Sequence, residues 1–109
     1  MIQIKNLRAE QPRNPWDIRV DRANEILGNP FYMKNESERD VICEKYAEWF
    51  KRAVESDSKV KDELDRLADI YRTHGKLNLF CWCVPKRCHA EIILQYLQIN
   101  IYTGELRGV

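Results

Sequence analysis

The sequence predicts a small three-layer α/β domain with a mostly parallel sheet. Three observations predict it. Two short segments near the N-terminus alternate apolar and polar side chains, as half-buried strands do. A later run, Leu77-Asn78-Leu79-Phe80-Cys81-Trp82-Cys83, is apolar on nearly both faces, which suits a central strand with helices on each side. Two stretches of helical period separate these strands, and helical crossovers imply parallel pairing.

In chain order, Ile2-Gln3-Ile4-Lys5-Asn6-Leu7 is the first alternating strand. AEQPRNPW is a loop broken by Pro12 and Pro15, and Trp16-Asp17-Ile18-Arg19-Val20-Asp21 is the second strand. The irregular segment RANEILGNPFYMKNES follows. Ser37 is placed to cap a helix, with Asp40 in a first turn where the dipole favours negative charge. Ile42, Tyr46, Trp49, Phe50 and Ala53 then fall on one helical face. Asp57 or Ser58 caps a second helix with Val60, Leu64, Leu67, Ala68 and Tyr71 on its apolar face, and Gly75 suits a left-handed stop. After the apolar strand, Pro85 marks the turn into a last helix over roughly residues 87–98. Ile99-Asn100-Ile101-Tyr102 reads as a short final strand, with Thr103-Gly104 turning the chain.

The 109 residues fit one domain, 1–109, with no internal repeat or linker. A net charge of +1 argues against bulk nucleic acid as a partner, since that needs a strongly basic face. No apolar run is long enough to span a bilayer and the N-terminus has no signal-peptide core, so no membrane partner and a cytoplasmic location are expected. In that reducing setting structural disulfides are not expected, which leaves metal binding, thiol chemistry or simple burial for the four cysteines. The sequence calls for no cofactor, and it leaves a homo-oligomer open.

Three stretches, RVDRANEILGNPF, SERDVICEKYAEWF and LFCWCVPKRCHAEIIL, in this order and spacing, resemble a family of bacterial and phage proteins, the domain of unknown function numbered four-three-two-six. The resemblance runs from about Ile18 to Leu97. The family's characteristic positions fall on Arg19, Asp21, Arg22, Leu27-Gly28-Asn29-Pro30-Phe31, Arg39, Tyr46, Cys81, Trp82, Cys83, Pro85, Cys88 and His89. Ala90 departs from the pattern, which usually has glycine after the Cys-His pair. The resemblance implies an α/β domain of bacterial or phage source, in the host cytoplasm if phage-encoded. It implies no reaction.

CWCVPKRCHA concentrates the chemistry of the chain. As zinc ligands, Cys81, Cys83, Cys88 and His89 lack the C-x2-C spacing of common structural sites, and no metal is assigned to them. Cys81 and Cys83 read as core at the end of a buried strand. Cys88, at a helix start beside Lys86, Arg87 and His89, has surroundings that lower a thiol pKa, with His89 as acid or base, although no partner that would orient His89 is identifiable. An anion site needs the fewest assumptions. Helix-start N–H groups at 86–89 donate to a phosphate or carboxylate, and Lys86, Arg87 and His89 flank them. Arg22 lies on the neighbouring loop. Arg39 opposes the dipole at its own helix start, which assigns it another task, such as pairing with Asp21 or holding a ligand. Asn29 would orient a base or ribose, and Phe31, Tyr32 or Trp82 would stack on it.

The reading is therefore one Rossmann-like domain that binds an anionic, nucleotide-like small molecule at the carboxyl edge of its strands. The site lies between Asp21–Phe31 and Val84–His89, where open α/β sheets place ligands. Arg22, Asn29, Arg39, Lys86 and Arg87 are its binding residues. Two alternatives stay open. One is a hydrolase or transferase acting on a nucleotide or nucleoside bond, with Cys88 as nucleophile and His89 or Asp21 as acid/base. The other is a small zinc-stabilised interaction module.

Overall fold

A computed structural model describes residues 1–103. Three strands, β1 (Ile2–Asn6), β2 (Asp17–Arg19) and β3 (Leu77–Cys81), pair in parallel in the order β1-β3-β2. Helices α1 (Arg39–Ser56) and α2 (Ser58–His74) form the crossover from β2 to β3, and α3 (Ala90–Thr103) follows β3. The α/β class and the parallel sheet are as the sequence predicts.

The register explains which side chains meet. Leu79 lies between Ile4 and Ile18, and Leu77 pairs with Ile2. These side chains and Cys81 join one core with Phe50 and Ala53 of α1, Leu64 and Leu67 of α2, and Ile93 and Leu97 of α3. Each fully buried leucine contributes about 2 kcal/mol by removal from water. Phe80 is also buried but lies outside that core, paired between Lys5 and Arg19 on the alternate face. On that face Gln3, Lys5, Asp17 and Asn78 share a cavity of about 500 Å³ with residues of the 9–16 segment.

The three helices thus feed one core on one face, and an irregular segment makes the layer on the other. Handedness accounts for this. The β1–β2 connection passes over β3 and the β2–β3 connection returns in the opposite direction, so right-handed crossovers place them on opposite faces. Pro12 and Pro15 keep the first of them from becoming a helix.

The cap residues differ in detail from the sequence reading. Asn35, not Ser37, caps a single 3-10 turn at Glu36–Glu38, and α1 begins after it at Arg39. Asp57 caps α2 through the Lys59 amide at 2.9 Å, and Gly75 ends it with φ of 74°. β3 stops at Cys81, which frees Trp82 and Cys83 from the sheet. α3 starts at Ala90 rather than near residue 87. Cys88 closes its first turn by accepting the Glu91 amide at 3.1 Å, and the Glu91 carboxylate accepts the Cys88 amide at 3.1 Å. The Glu91 carboxylate thus supplies one half of a capping box, while the other bond is main chain to main chain. The strand expected at Ile99–Tyr102 is helical, because Ile93, Leu97 and Ile101 continue one face of α3 against the core. Gly104 lies outside the described residues.

Candidate small-molecule site at the strand ends

Beyond the ends of β2 and β3 lies a cavity of about 360 Å³, within the range of small-molecule pockets. Asp21, Arg22, Asn29, Tyr32 and Met33 line it from the loop after β2. Arg39, Ile42 and Cys43 line it from α1, and Cys81, Trp82, Cys83, Arg87, Cys88 and His89 from the end of β3 and the turn into α3. The two segments that the sequence sets at this edge do meet.

Four buried contacts shape the wall. The Tyr46 hydroxyl donates to the Leu27 carbonyl at 2.7 Å, tying the loop to α1, and the fully buried Tyr46 ring packs on His89 with centroids 4.9 Å apart. His89 Nε2 is 2.5 Å from the Val20 carbonyl. A carbonyl only accepts, so Nε2 carries the proton and Nδ1 keeps a lone pair, 3.5 Å from Cys88 Sγ. Burial lowers the His89 pKa, so the ring is neutral in the physiological range. Trp82 Nε1 donates to Asp21 Oδ2 at 2.8 Å, while Arg19 grips both carboxylate oxygens of Asp21. Burial would raise the Asp21 pKa, yet the Arg19 and Trp82 hydrogen bonds outweigh it and hold Asp21 ionised. Gly28 makes the loop compact: a Cβ there would lie 2.5 Å from the Asn24 carbonyl oxygen and 2.7 Å from that of Asp21.

The cations are held differently from one another. Arg39 pairs with Glu36 at 2.7 Å, donates to the Arg87 carbonyl at 2.9 Å and lines the cavity together with Cys83. Its task at the helix start is therefore real, but its carboxylate is Glu36; that of Asp21 belongs to Arg19. Arg87 pairs with Asp40 at 3.0 Å. Arg22 donates to the Phe31 carbonyl at 2.7 Å and covers the Tyr32 ring at 4.3 Å. Among the described residues Arg22 has no carboxylate partner, and it is exposed. Lys86 turns away, pairing with Glu36 at 3.3 Å outside the cavity lining. The helix-start amides are largely taken: the Lys86 amide donates to the Cys83 carbonyl at 2.8 Å and the Cys88 amide to Glu91. The anion character of the site therefore rests on side chains more than on the amides at 86–89.

All four cysteines line the cavity, and all are free thiols. Cys43, isolated in sequence, reaches it from the buried face of α1. The neighbouring Cys81 and Cys83 thiols and burial push the Cys88 pKa up, so it keeps its proton. Cys83 is lowered to about 5 by the influence of the Cys88 thiol and of the Arg39 guanidinium, together outweighing burial. Cys81 is lowered to about 7 by the Cys88 contact and by the Cys83 and Val84 amides, which outweigh burial. The anionic sulfur is thus at Cys83, half-buried and facing the cavity. Among the described residues no three His, Cys, Asp or Glu donors converge as a metal centre requires.

The structure gathers Asp21, Arg22, Asn29, Arg39, Arg87, Cys88 and His89 of the sequence-derived set around one space and leaves Lys86 outside. Asn29 uses its Oδ1 on the Phe31 amide at 2.9 Å, which leaves its amide nitrogen for a ligand. Sequence reasoning missed Cys43 and assigned Cys81 and Cys83 to the core alone. Cys81 is indeed in the core, at 1% exposure, but it also borders the cavity. The orienting partner for His89 is a main-chain carbonyl, which no side-chain motif could reveal. The family described as Domain of unknown function (DUF4326) matches residues 2–99. No curated protein and no solved structure matches the chain.

Proposed function

The chain belongs to the DUF4326 family, and we propose that it binds an anionic, nucleotide-like small molecule in the cavity beyond β2 and β3. The observation that carries this reading is Arg22. It is a guanidinium without a carboxylate partner among the described residues, at the rim of a pocket that also presents two exposed aromatic rings. Tyr32 is held by the cation–π contact with Arg22, and Trp82 by its bond to Asp21. A flat base beside these rings and a phosphate or carboxylate on Arg22 use both features at once. Asn29 supplies an amide for the base or ribose edge. Arg39 and Arg87 add positive potential while remaining tied to Glu36 and Asp40.

No helix among the described residues is long and apolar enough to cross a membrane. A cytoplasmic, host-located phage protein that sequesters such a molecule is consistent with the reading. Native mass spectrometry of freshly purified protein tests it, since a pocket of this kind retains part of its ligand. The expected result is a co-purified small anion, or binding of a nucleoside phosphate from a panel. A bare chain that binds no member of the panel overturns the proposal.

Turnover on a nucleotide or nucleoside bond is the second reading, favoured by the neutral His89 whose Nδ1 faces the Cys88 thiol. It requires chemical change in the bound molecule, abolished in Cys88→Ser or His89→Ala with the fold retained. Return of an unaltered ligand from heated protein excludes it.

A further inference from the structure

The thiols have a chemistry that anion binding does not use. Four cysteines from three parts of the chain border one cavity, and Cys81, Cys83 and Cys88 belong to the same wall of it, formed by the end of β3 and the turn into α3. Of these three, Cys83 is the one that is not fully buried, and Arg39 lines the same cavity. Cys88 is buried at 3% exposure, with His89 Nδ1 3.5 Å from its sulfur. An accessible sulfur next to a cation, backed by a second thiol beside a proton acceptor, is the arrangement that two-electron thiol oxidation needs.

We propose that this cavity is a redox site in which Cys83 is oxidised by a hydroperoxide and Cys88 resolves it to an intramolecular disulfide. In the first step the Cys83 thiolate attacks the terminal peroxide oxygen. The O–O bond breaks, Cys83 becomes a sulfenic acid, and the leaving alkoxide or hydroxide takes a proton from solvent. Arg39 stabilises charge beside the reacting sulfur. In the second step the Cys88 sulfur attacks the Cys83 sulfur and the S–O bond breaks. The Cys88 proton passes to His89 Nδ1 and then to the departing hydroxide, which leaves as water. Two thiols lose two electrons and one peroxide gains them.

The proposal goes beyond ligand binding and does not depend on the anion, because the probe is peroxide alone. Fully reduced protein is treated with one equivalent of hydrogen peroxide, remaining thiols are alkylated, and peptides are mapped by mass spectrometry. The expected product lacks two hydrogens and links Cys83 to Cys88, with Cys43 still alkylated. Its formation should be about tenfold faster than oxidation of glutathione at the same pH. In Cys88→Ser the sulfenic acid should persist on Cys83 and be captured by dimedone, and in Cys83→Ser the fast phase should vanish while the circular dichroism spectrum is kept. A disulfide that excludes Cys83, or thiols that react no faster than glutathione, overturns the proposal.

Discussion

Replacing Arg39 by alanine should move the titration of Cys83 upward. Arg39 lines the cavity with Cys83 and acts on it as a cation, second to the Cys88 thiol in holding its pKa at about 5. Because Cys88 remains, only part of the depression is lost. An opposite charge within contact distance accounts for about one to two units. At pH 6 the thiolate fraction then falls from roughly nine-tenths to between about a half and a tenth. Peptide-resolved iodoacetamide labelling over pH 4–9 reads this directly for Cys83, and the ultraviolet absorbance of thiolate gives an independent curve. Cys43 serves as an internal reference, because burial raises its pKa. A Cys83 midpoint near that of an ordinary thiol in the wild type, or one unmoved in a folded Arg39→Ala protein, would refute the reasoning.

Tyr46→Phe removes the hydroxyl that satisfies the buried Leu27 carbonyl, and should cost about 1–3 kcal/mol in urea unfolding with an unchanged m-value. Gly28→Ala drives a methyl into the carbonyl oxygens of Asn24 and Asp21 and should cost at least about 2 kcal/mol, read from the same transition. Asp21→Asn should flatten the acid limb of stability. The folded Asp21 pKa is depressed, so its contribution is complete above the unfolded value of about 3.9 and is lost as pH falls through the folded one. Thermal melts between pH 2 and 6 check that sign, and an equal acid limb in both proteins would contradict it.

Much of the fold was legible because local and global signals agree. Alternation in Ile2–Leu7 and Trp16–Asp21 located both edge strands, and the two-sided apolarity of Leu77–Phe80 located the central one. Gly75 and Asp57 were legible as caps because their chemistry is local. Ile99–Tyr102 was not, since a short run containing isoleucines and a tyrosine serves a helix face or a strand equally well until the core is known. The irregular layer on the second face was hidden for a related reason: a strand that is buried on both faces does not reveal what lies over each.

The site divides along the same line. Arg39 was legible through its conflict with the helix dipole, although its partner was not, because Glu36 and Asp21 are both acids within reach of a loop. Cys43 was invisible as a site residue, since its place depends on the rotation of α1 against β3. Cys88 also has two parts in the structure. Its main chain closes the first turn of α3, and separately its thiol keeps the proton, which leaves the anionic character to Cys83.

The central claim is most directly tested by titrating nucleoside phosphates and their uncharged nucleosides into the wild-type protein and Arg22→Ala by calorimetry at two ionic strengths. The account predicts saturable one-to-one binding of a phosphorylated ligand, weakened by salt and by about tenfold or more in Arg22→Ala, with the nucleoside binding more weakly. Absence of binding, or affinity that is indifferent to both the phosphate and Arg22, would contradict it.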